Sequence, residues 1–445
     1  MAQLRSLPWR GALLASAATA VAIAVSSLPL HGAAAEEAAG PAAPCLTAKA
    51  SLTVEEQRLG QPLPGGGAPA AERFVQAAGF EPLVDGFYRD LCAAGSVAAA
   101  RDLVRAHGQE LWDTAIARAQ GKRAIGTIDR YDDRPLYWAR LYMSSAVRQW
   151  QAPVTVTTIQ RNSLVRILDH ASRGLDSVRW PAAPKGAKRV MVSGFDTYSL
   201  DDSLRNSNPS GASALQLDGR TVKTASGPVV LQAVVFPVNW TDFDQGIVED
   251  AFGPVLARGK NKADLIMTIS QTGRGMMNIE KWAANARGGS PDNNRNLNFG
   301  AVSRPSHWPQ PADSPQWIHT TLPYRAMIAA KTGPWPVKLN AGICEWPAGT
   351  YPDPTRVRCQ PDPSRGSTAA SGPGGNYLSN ESMYRSNRLR IGFGLAKFPG
   401  GHLHISALEY PKDTSVLTDP AFEADRKAVV DQTVALVTAA GGAAR

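Results

Sequence analysis

Four cysteines and seven histidines are few for a chain of 445 residues, and their arrangement removes several readings at once. There is no Cys-x-x-Cys pair, no Cys/His cluster and no His-Glu-x-x-His, so no metal is expected, and no cofactor. No Gly-x-Ser-x-Gly elbow announces a serine hydrolase of the usual α/β type. Basic residues outnumber acidic ones, 47 to 38, but they are scattered without a block. A solvated basic surface is therefore expected, and no nucleic-acid partner.

The first 35 residues carry the signs of export. Arg5 and Arg10 precede the apolar run ALLASAATAVAIAVSSLPL, and Ala33, Ala34 and Ala35 precede Glu36, which reads as a signal peptide (1–35) cleaved near Ala35. Ser26, Ser27 and Pro29 interrupt the run, so no stable membrane insertion is expected after cleavage and the mature protein should be secreted or extracytoplasmic. Four cysteines in an exported chain imply two disulfides. Proximity pairs Cys45 with Cys92 and Cys344 with Cys359, other pairings remaining open.

Residues 36–68, rich in Ala, Pro and Gly, read as a loosely packed linker. A helical accessory region follows over 69–180. Leu103, Val104, His107, Leu111 and Trp112 share one helical face; Leu136, Leu141, Tyr142 and Trp150 mark a second helix; Leu164, Val165, Ile167 and Leu168 mark a third that stops near Gly174. These faces are too extensive for exposed surface and should pack on the rest of the chain. WPAAPKGAK, 180–188, is the expected hinge.

Beyond the hinge the period changes. RVMVSGF, VVLQAVVFPV and ADLIMTIS read as buried strands, with a helix in FDQGIVEDAFGPVLARG. TTLPYRAMIAAKTG reads as a helix, WPVKLN and HLHISALEYP as strands, and PAFEADRKAVVDQTVALVTAA as a closing helix. This alternation predicts a three-layer α/β/α domain over 188–440 with a largely parallel sheet, preceded by the all-helical region. Sites in such sheets gather at the strands' C-terminal ends.

One stretch there stands out: GPGGNYLSNESMY, 372–384, runs from a glycine turn into a helix that opens around Ser379. A hydroxyl at a helix start faces unpaired N–H groups able to stabilise a developing oxyanion. Taken alone, an ordinary capping serine accounts for it equally well.

The surrounding motifs resemble those of the pyroglutamyl peptidase I (pyrrolidone-carboxylate peptidase) family. GFDTY (194–198) with NPS (208–210), SQTGRGMMNIEKWAAN (270–285), the PDNN stretch around Asp292 and Asn294, TLP (321–323), GNYLSN (375–380) and GHLHIS (401–406) follow in that family's order, from about Lys188 to Ala440. The resemblance implies a triad of Glu280, Ser379 and His404, with serine where the family has cysteine. It implies apolar walls for a five-membered lactam at Phe195 and Tyr198, with Asn208 and Gln271 beside them. The expected activity is removal of N-terminal pyroglutamyl residues from peptides; the alternative is an inactive relative that binds such peptide ends. An alcohol needs its base more than a thiol does, so His404 would carry more of the work. Three alternatives stay open on the residues: Glu280 on an exposed helix, His402 in place of His404 on the same strand face, and Cys344 as the nucleophile. Oligomeric state is not legible.

Overall fold

The computed structural model describes residues 45–180, 183–305 and 307–444; the expected signal peptide and the first part of the expected linker lie outside them. The helical half begins with α1 (Val54–Gln57), α2 (Ala70–Ala77) and α3 (Glu81–Ala93), followed by α4 (Val97–Ala119), α5 (Arg134–Gln149) and α6 (Thr158–Ser172). Local chemistry sets their ends. Ser96 caps α4 by accepting from the Ala99 N–H, Thr157 and Gln160 form a reciprocal capping box on α6, and Gly174 turns the chain at φ +85° just beyond α6.

The part of the linker that is described does not behave as its composition predicts. Cys45 is bonded to Cys92 of α3, and Glu56 and Arg58 are buried. The segment is held by polar side chains that find partners elsewhere, a signal that Ala/Pro/Gly content does not carry. Glu56, for example, accepts from Ser144 at 2.7 Å and from Arg148 at 2.9 Å.

The second half builds the sheet. In chain order its elements are β1 (Lys188–Phe195), α7 (Pro209–Leu217), β2 (Thr221–Thr224), β3 (Gly227–Phe236), α8 (Trp240–Asp244), α9 (Ile247–Leu256), β4 (Leu265–Gln271), β5 (Met277–Glu280), β6 (Trp282–Ala284) and β7 (Trp317–His319). Then come α10 (Tyr324–Ala329), β8 (Val337–Asn340), β9 (Ile343–Trp346), β10 (Arg358–Gln360), β11 (Thr368–Ser371), α11 (Leu378–Gly392), β12 (Gly400–Ile405) and α12 (Pro420–Ala443). Seven strands form one mixed sheet in the order β2-β3-β1-β4-β12-β5-β8. Its centre, β3-β1-β4-β12, is parallel; β2 and β5 join antiparallel, and β8 runs parallel to β5. The expected α/β domain with a largely parallel sheet and a preceding helical region is what the chain forms. Apart from Lys188, Arg189 and Gln271 at their ends, β1, β4 and β12 are buried, as strands covered on both faces must be.

The helical half is packed onto this sheet domain. A single apolar core runs from Phe74, Trp112 and Trp138 to Val192, Leu231 and Leu403, and Gln120 donates to the carbonyls of Leu215 and Asp218 beyond α7. The stretch between β8 and α11 is an antiparallel sheet, β10-β9-β11, in which Cys344 and Cys359 stand directly opposite and are disulfide-bonded. The second expected pair is thus present as well, and Cys344 is no free thiol. TTLPYRAMIAAKTG yields only the six-residue α10. No helix among the described residues is long and apolar enough to cross a membrane.

Helix α11 is unusual in its core. Arg385, Arg388 and Arg390 are buried, and Arg385 donates to Glu381 of its own helix at 2.6 Å and to Glu249 of α9 at 3.0 Å. Arg287 reaches the other oxygen of Glu381 at 2.7 Å. Arg385 and Arg388 are offset by the carboxylates of Glu381 and Glu249, whereas Arg390 is held by neutral acceptors, Asn387 and the carbonyls of Ala396 and His319. The network fixes where the first turn of α11, and Ser379 with it, sits over the sheet.

Candidate active site

Strand β12 lies between β4 and β5, and its alternation puts His402 and His404 on the same face. Their fates differ. His402 is sealed in: Nδ1 is 2.7 Å from Thr268 Oγ1 and Nε2 is 2.8 Å from Ser270 Oγ, both on β4. Burial, with His404 nearby, holds its pKa well below the usual histidine value. Both ring nitrogens are engaged by hydroxyls, so His402 has no nitrogen left to serve as a base.

His404 is placed for that task. Its Nδ1 lies 2.7 Å from Glu280 Oε1. Glu280 is not on an exposed helix: it ends β5, is 2 % exposed, and sits two residues from Asn278, the cross-strand partner of His404. An ionised carboxylate only accepts, so this contact puts the proton on Nδ1 and leaves Nε2 as the basic nitrogen. Nε2 has no protein partner among the described residues, and the ring borders a cavity of about 460 Å³.

The same cavity is bordered by Ser379, Phe195, Tyr198, Asn208 and Gln271, so the six expected site residues other than buried Glu280 all reach one space, and Glu280 reaches it through His404. Ser379 is the second residue of α11, not its cap; Tyr377 holds the cap position without a side-chain bond. The N–H groups at this helix start thus lack a capping side chain. The Ser379 hydroxyl has no hydrogen-bond partner among the described residues, His404 included. Gly374 is required by proximity: a Cβ there would stand 2.2 Å from His404 Cε1 and 3.3 Å from the Glu280 carboxyl carbon.

The far wall is aromatic. Phe195 stacks on Phe243 at 6.0 Å and meets Phe236 edge-on at 5.9 Å, so it is at once core and cavity floor. Its position depends on a close approach of α7, because Gly194 has Ser210 backbone where a side chain would be, and Ser210 Oγ accepts from the Phe195 N–H at 3.0 Å. Gln271 Nε2 donates to Tyr198 Oη at 2.6 Å, and burial raises the Tyr198 pKa. Gln271 Oε1 is buried with no partner, an unsatisfied acceptor on a residue that lines the cavity. Asn208 is the helix cap of α7: it accepts from Ser210 and donates to the Asp196 carbonyl at 2.9 Å, which occupies its amide in structure.

Four contributors were not singled out from sequence. Tyr377 forms a wall, packed edge-on against Trp240 at 5.4 Å. Thr268 and Ser270 lock His402. Asn340, at the end of β8, donates to both Glu280 oxygens, at 3.3 and 3.1 Å. A larger cleft, about 850 Å³, opens between α1, α5, α6 and α8, but no expected site residue borders it. Among the described residues no cluster of His, Cys, Asp and Glu is arranged to hold a metal ion.

Comparison with known proteins matches residues 34–169 to the family model for the PA0049 N-terminal domain, and residues 189–311 and 338–409 to that for the PA0049 C-terminal domain. The uncharacterized protein PA0049 of Pseudomonas aeruginosa is 33 % identical in an alignment of 506 residues, covering 89 % of this chain and 90 % of that protein. Among solved structures, the crystal structure of Bacillus amyloliquefaciens pyroglutamyl peptidase I is similar over 56 % of this chain and 97 % of its own, at 18 % identity and a TM-score of 0.36. With both halves matched in order and a relative aligned over nearly its whole length, this chain belongs to the PA0049 family.

Proposed function

We propose that the chain is an exported hydrolase that removes an N-terminal pyroglutamyl residue from peptides through Ser379, His404 and Glu280. The observation that carries this reading is the 2.7 Å contact between His404 Nδ1 and Glu280 Oε1 beneath a cavity that Ser379 also borders. In the proposed reaction Ser379 Oγ attacks the carbonyl carbon of the pyroglutamyl amide while its proton passes to His404 Nε2. The carbonyl oxygen takes the negative charge and faces the N–H groups at the start of α11. His404 then gives the proton to the departing amine, leaving an ester on Ser379. Water, deprotonated by His404, hydrolyses that ester and releases pyroglutamate.

The lactam is a small neutral ring with one N–H. Phe195 and Tyr198 offer it flat apolar walls, and the unpartnered Gln271 Oε1, buried until the side chain turns towards the cavity, offers that N–H an acceptor. Two disulfides suit an oxidising compartment, where a serine nucleophile resists the oxidation that would silence a thiol.

One observation favours a second reading, a binding protein for pyroglutamyl peptide ends. No hydrogen bond joins Ser379 to His404, whereas working nucleophiles are commonly paired with their base. Purified protein from residue 36 onward, assayed with a chromogenic pyroglutamyl amide, separates the two. Turnover that vanishes in Ser379→Ala and in His404→Ala supports the hydrolase. Calorimetric binding of a pyroglutamyl peptide without turnover supports the binding protein, and neither signal would refute both.

A further inference from the structure

The geometry points to Asn340 as a positioning residue that fixes the Glu280 carboxylate and, through it, the tautomer of His404. Glu280 and Asn340 are register partners on the parallel strands β5 and β8. Asn340 Nδ2 donates to Glu280 Oε1 at 3.3 Å, to Oε2 at 3.1 Å and to the Pro373 carbonyl at 3.1 Å. All three partners are acceptors, which decides which end of the amide faces the carboxylate. One amide thus spans two elements of the site, the strand bearing Glu280 and the turn whose next residue, Gly374, lies against His404.

Both oxygens of Glu280 are needed for this. Oε1 is shared between His404 and Asn340, and Asn340 also holds Oε2, so rotation of the carboxylate would break at least one contact. Without Asn340 the carboxylate has no second anchor among the described residues and can turn away from the imidazole. The Nδ1–H tautomer of His404 then loses its stabilisation, and with it the basic Nε2 faces the cavity only part of the time. The carboxylate is a mobile acceptor until an N–H donor pins it; β8, at the edge of the sheet, supplies that donor.

The inference rests on the proposed hydrolase in naming what the tautomer is for, but its test does not need turnover. In protein labelled with ¹⁵N-histidine, the ring nitrogens of His404, assigned with His404→Gln, should report mainly the Nδ1–H form at pH 8. Asn340→Ala should shift them towards a mixture of tautomers. Asn340→Asp, nearly the same shape but without the donors, should do the same. If hydrolysis is present, Asn340→Ala should lower kcat about ten- to a hundredfold with KM little changed, the loss typical of a hydrogen bond to a charged group. Unchanged His404 ring shifts in both folded variants would overturn the assignment of Asn340. A tautomer shift without any hydrolysis in the parent protein would leave Asn340 in its role and refute the hydrolase reading instead.

Discussion

Arg58, from the segment ahead of the helical half, donates through Nη1 to the backbone carbonyl of Asn293 at 2.6 Å. Its other nitrogens hold Asp201, at 2.9 Å for the shorter contact, so one buried side chain ties together the loops after β1 and before residue 300. Asn293 in turn donates to the Thr197 carbonyl at 2.9 Å, next to Tyr198 on the cavity wall. Arg58→Ala should lower stability by about 1–3 kcal/mol, the cost of leaving a buried acceptor without its donor. Urea unfolding of the two proteins measures it, and no change in midpoint would mean the loops support themselves.

The stabilisation contributed by two buried carboxyls should fall as pH rises from about 4.5 to 7. Burial raises the Glu55 pKa from 4.5 to about 7, and burial together with Asp169 raises that of Asp242 from 3.8 to about 7. Between their ordinary and raised values the folded chain holds more protons than the unfolded one, so these groups stabilise it below that window and progressively less through it. Asp201 acts oppositely, held low by Arg295 and Arg58, and its contribution is lost only on acidification below its ordinary value of 3.8. His402 and His170, held by burial below the ordinary histidine value, act oppositely across part of the same window, so the effect is read as a difference: the melting temperature of the parent minus that of Glu55→Gln should fall from pH 5 to 7.5. A difference that stays constant or rises over that range would contradict this account.

Gly374→Ala should damage the site more than the fold. The added methyl would stand 2.2 Å from His404 Cε1, so the ring or the turn must move. Overpacking of this kind costs about 1–3 kcal/mol. The ¹⁵N ring signals of His404 should shift strongly while the far-ultraviolet circular dichroism stays the same.

Removing one partner of the α9–α11 ion network should be severe. Glu249→Ala leaves Arg385 and Arg388 buried beside a missing carboxylate, at a cost of about 3–5 kcal/mol. Glu249→Gln should cost less, because an amide still accepts one hydrogen bond. Equal losses in the two variants would show that charge, not bonding capacity, decides.

With all four cysteines paired, the non-reduced protein should take up no iodoacetamide, and peptide mapping should recover Cys344 joined to Cys359 and Cys45 to Cys92. Opening the 15-residue link by Cys344→Ser with Cys359→Ser should cost at most about 3 kcal/mol.

How legible the fold was depended on the kind of signal. Fully apolar strands such as Val190–Val192 and Leu265–Met267 declare themselves by composition, and the closing helix by its period. Segments held by polar partners do not: the stretch around Arg58 reads as linker because its contacts, Asp201 and Asn293, lie far away in sequence. The same applies inside the site. His404 and His402 are indistinguishable by alternation, and only the hydroxyls of Thr268 and Ser270 on the neighbouring strand separate them. Asn340 escaped because its role is visible only once register sets it beside Glu280.

The place of β12 in the sheet governs the order of assembly. It is the last strand made, yet it inserts between β4 and β5. Until it arrives, β4 lacks a neighbour on that side, Glu280 has no imidazole to face, and α11 has no completed floor beneath it. A chain emerging in sequence therefore exposes two apolar strand edges over the roughly one hundred and twenty residues that separate β5 from β12, and closes them in a single late event with long loop closure.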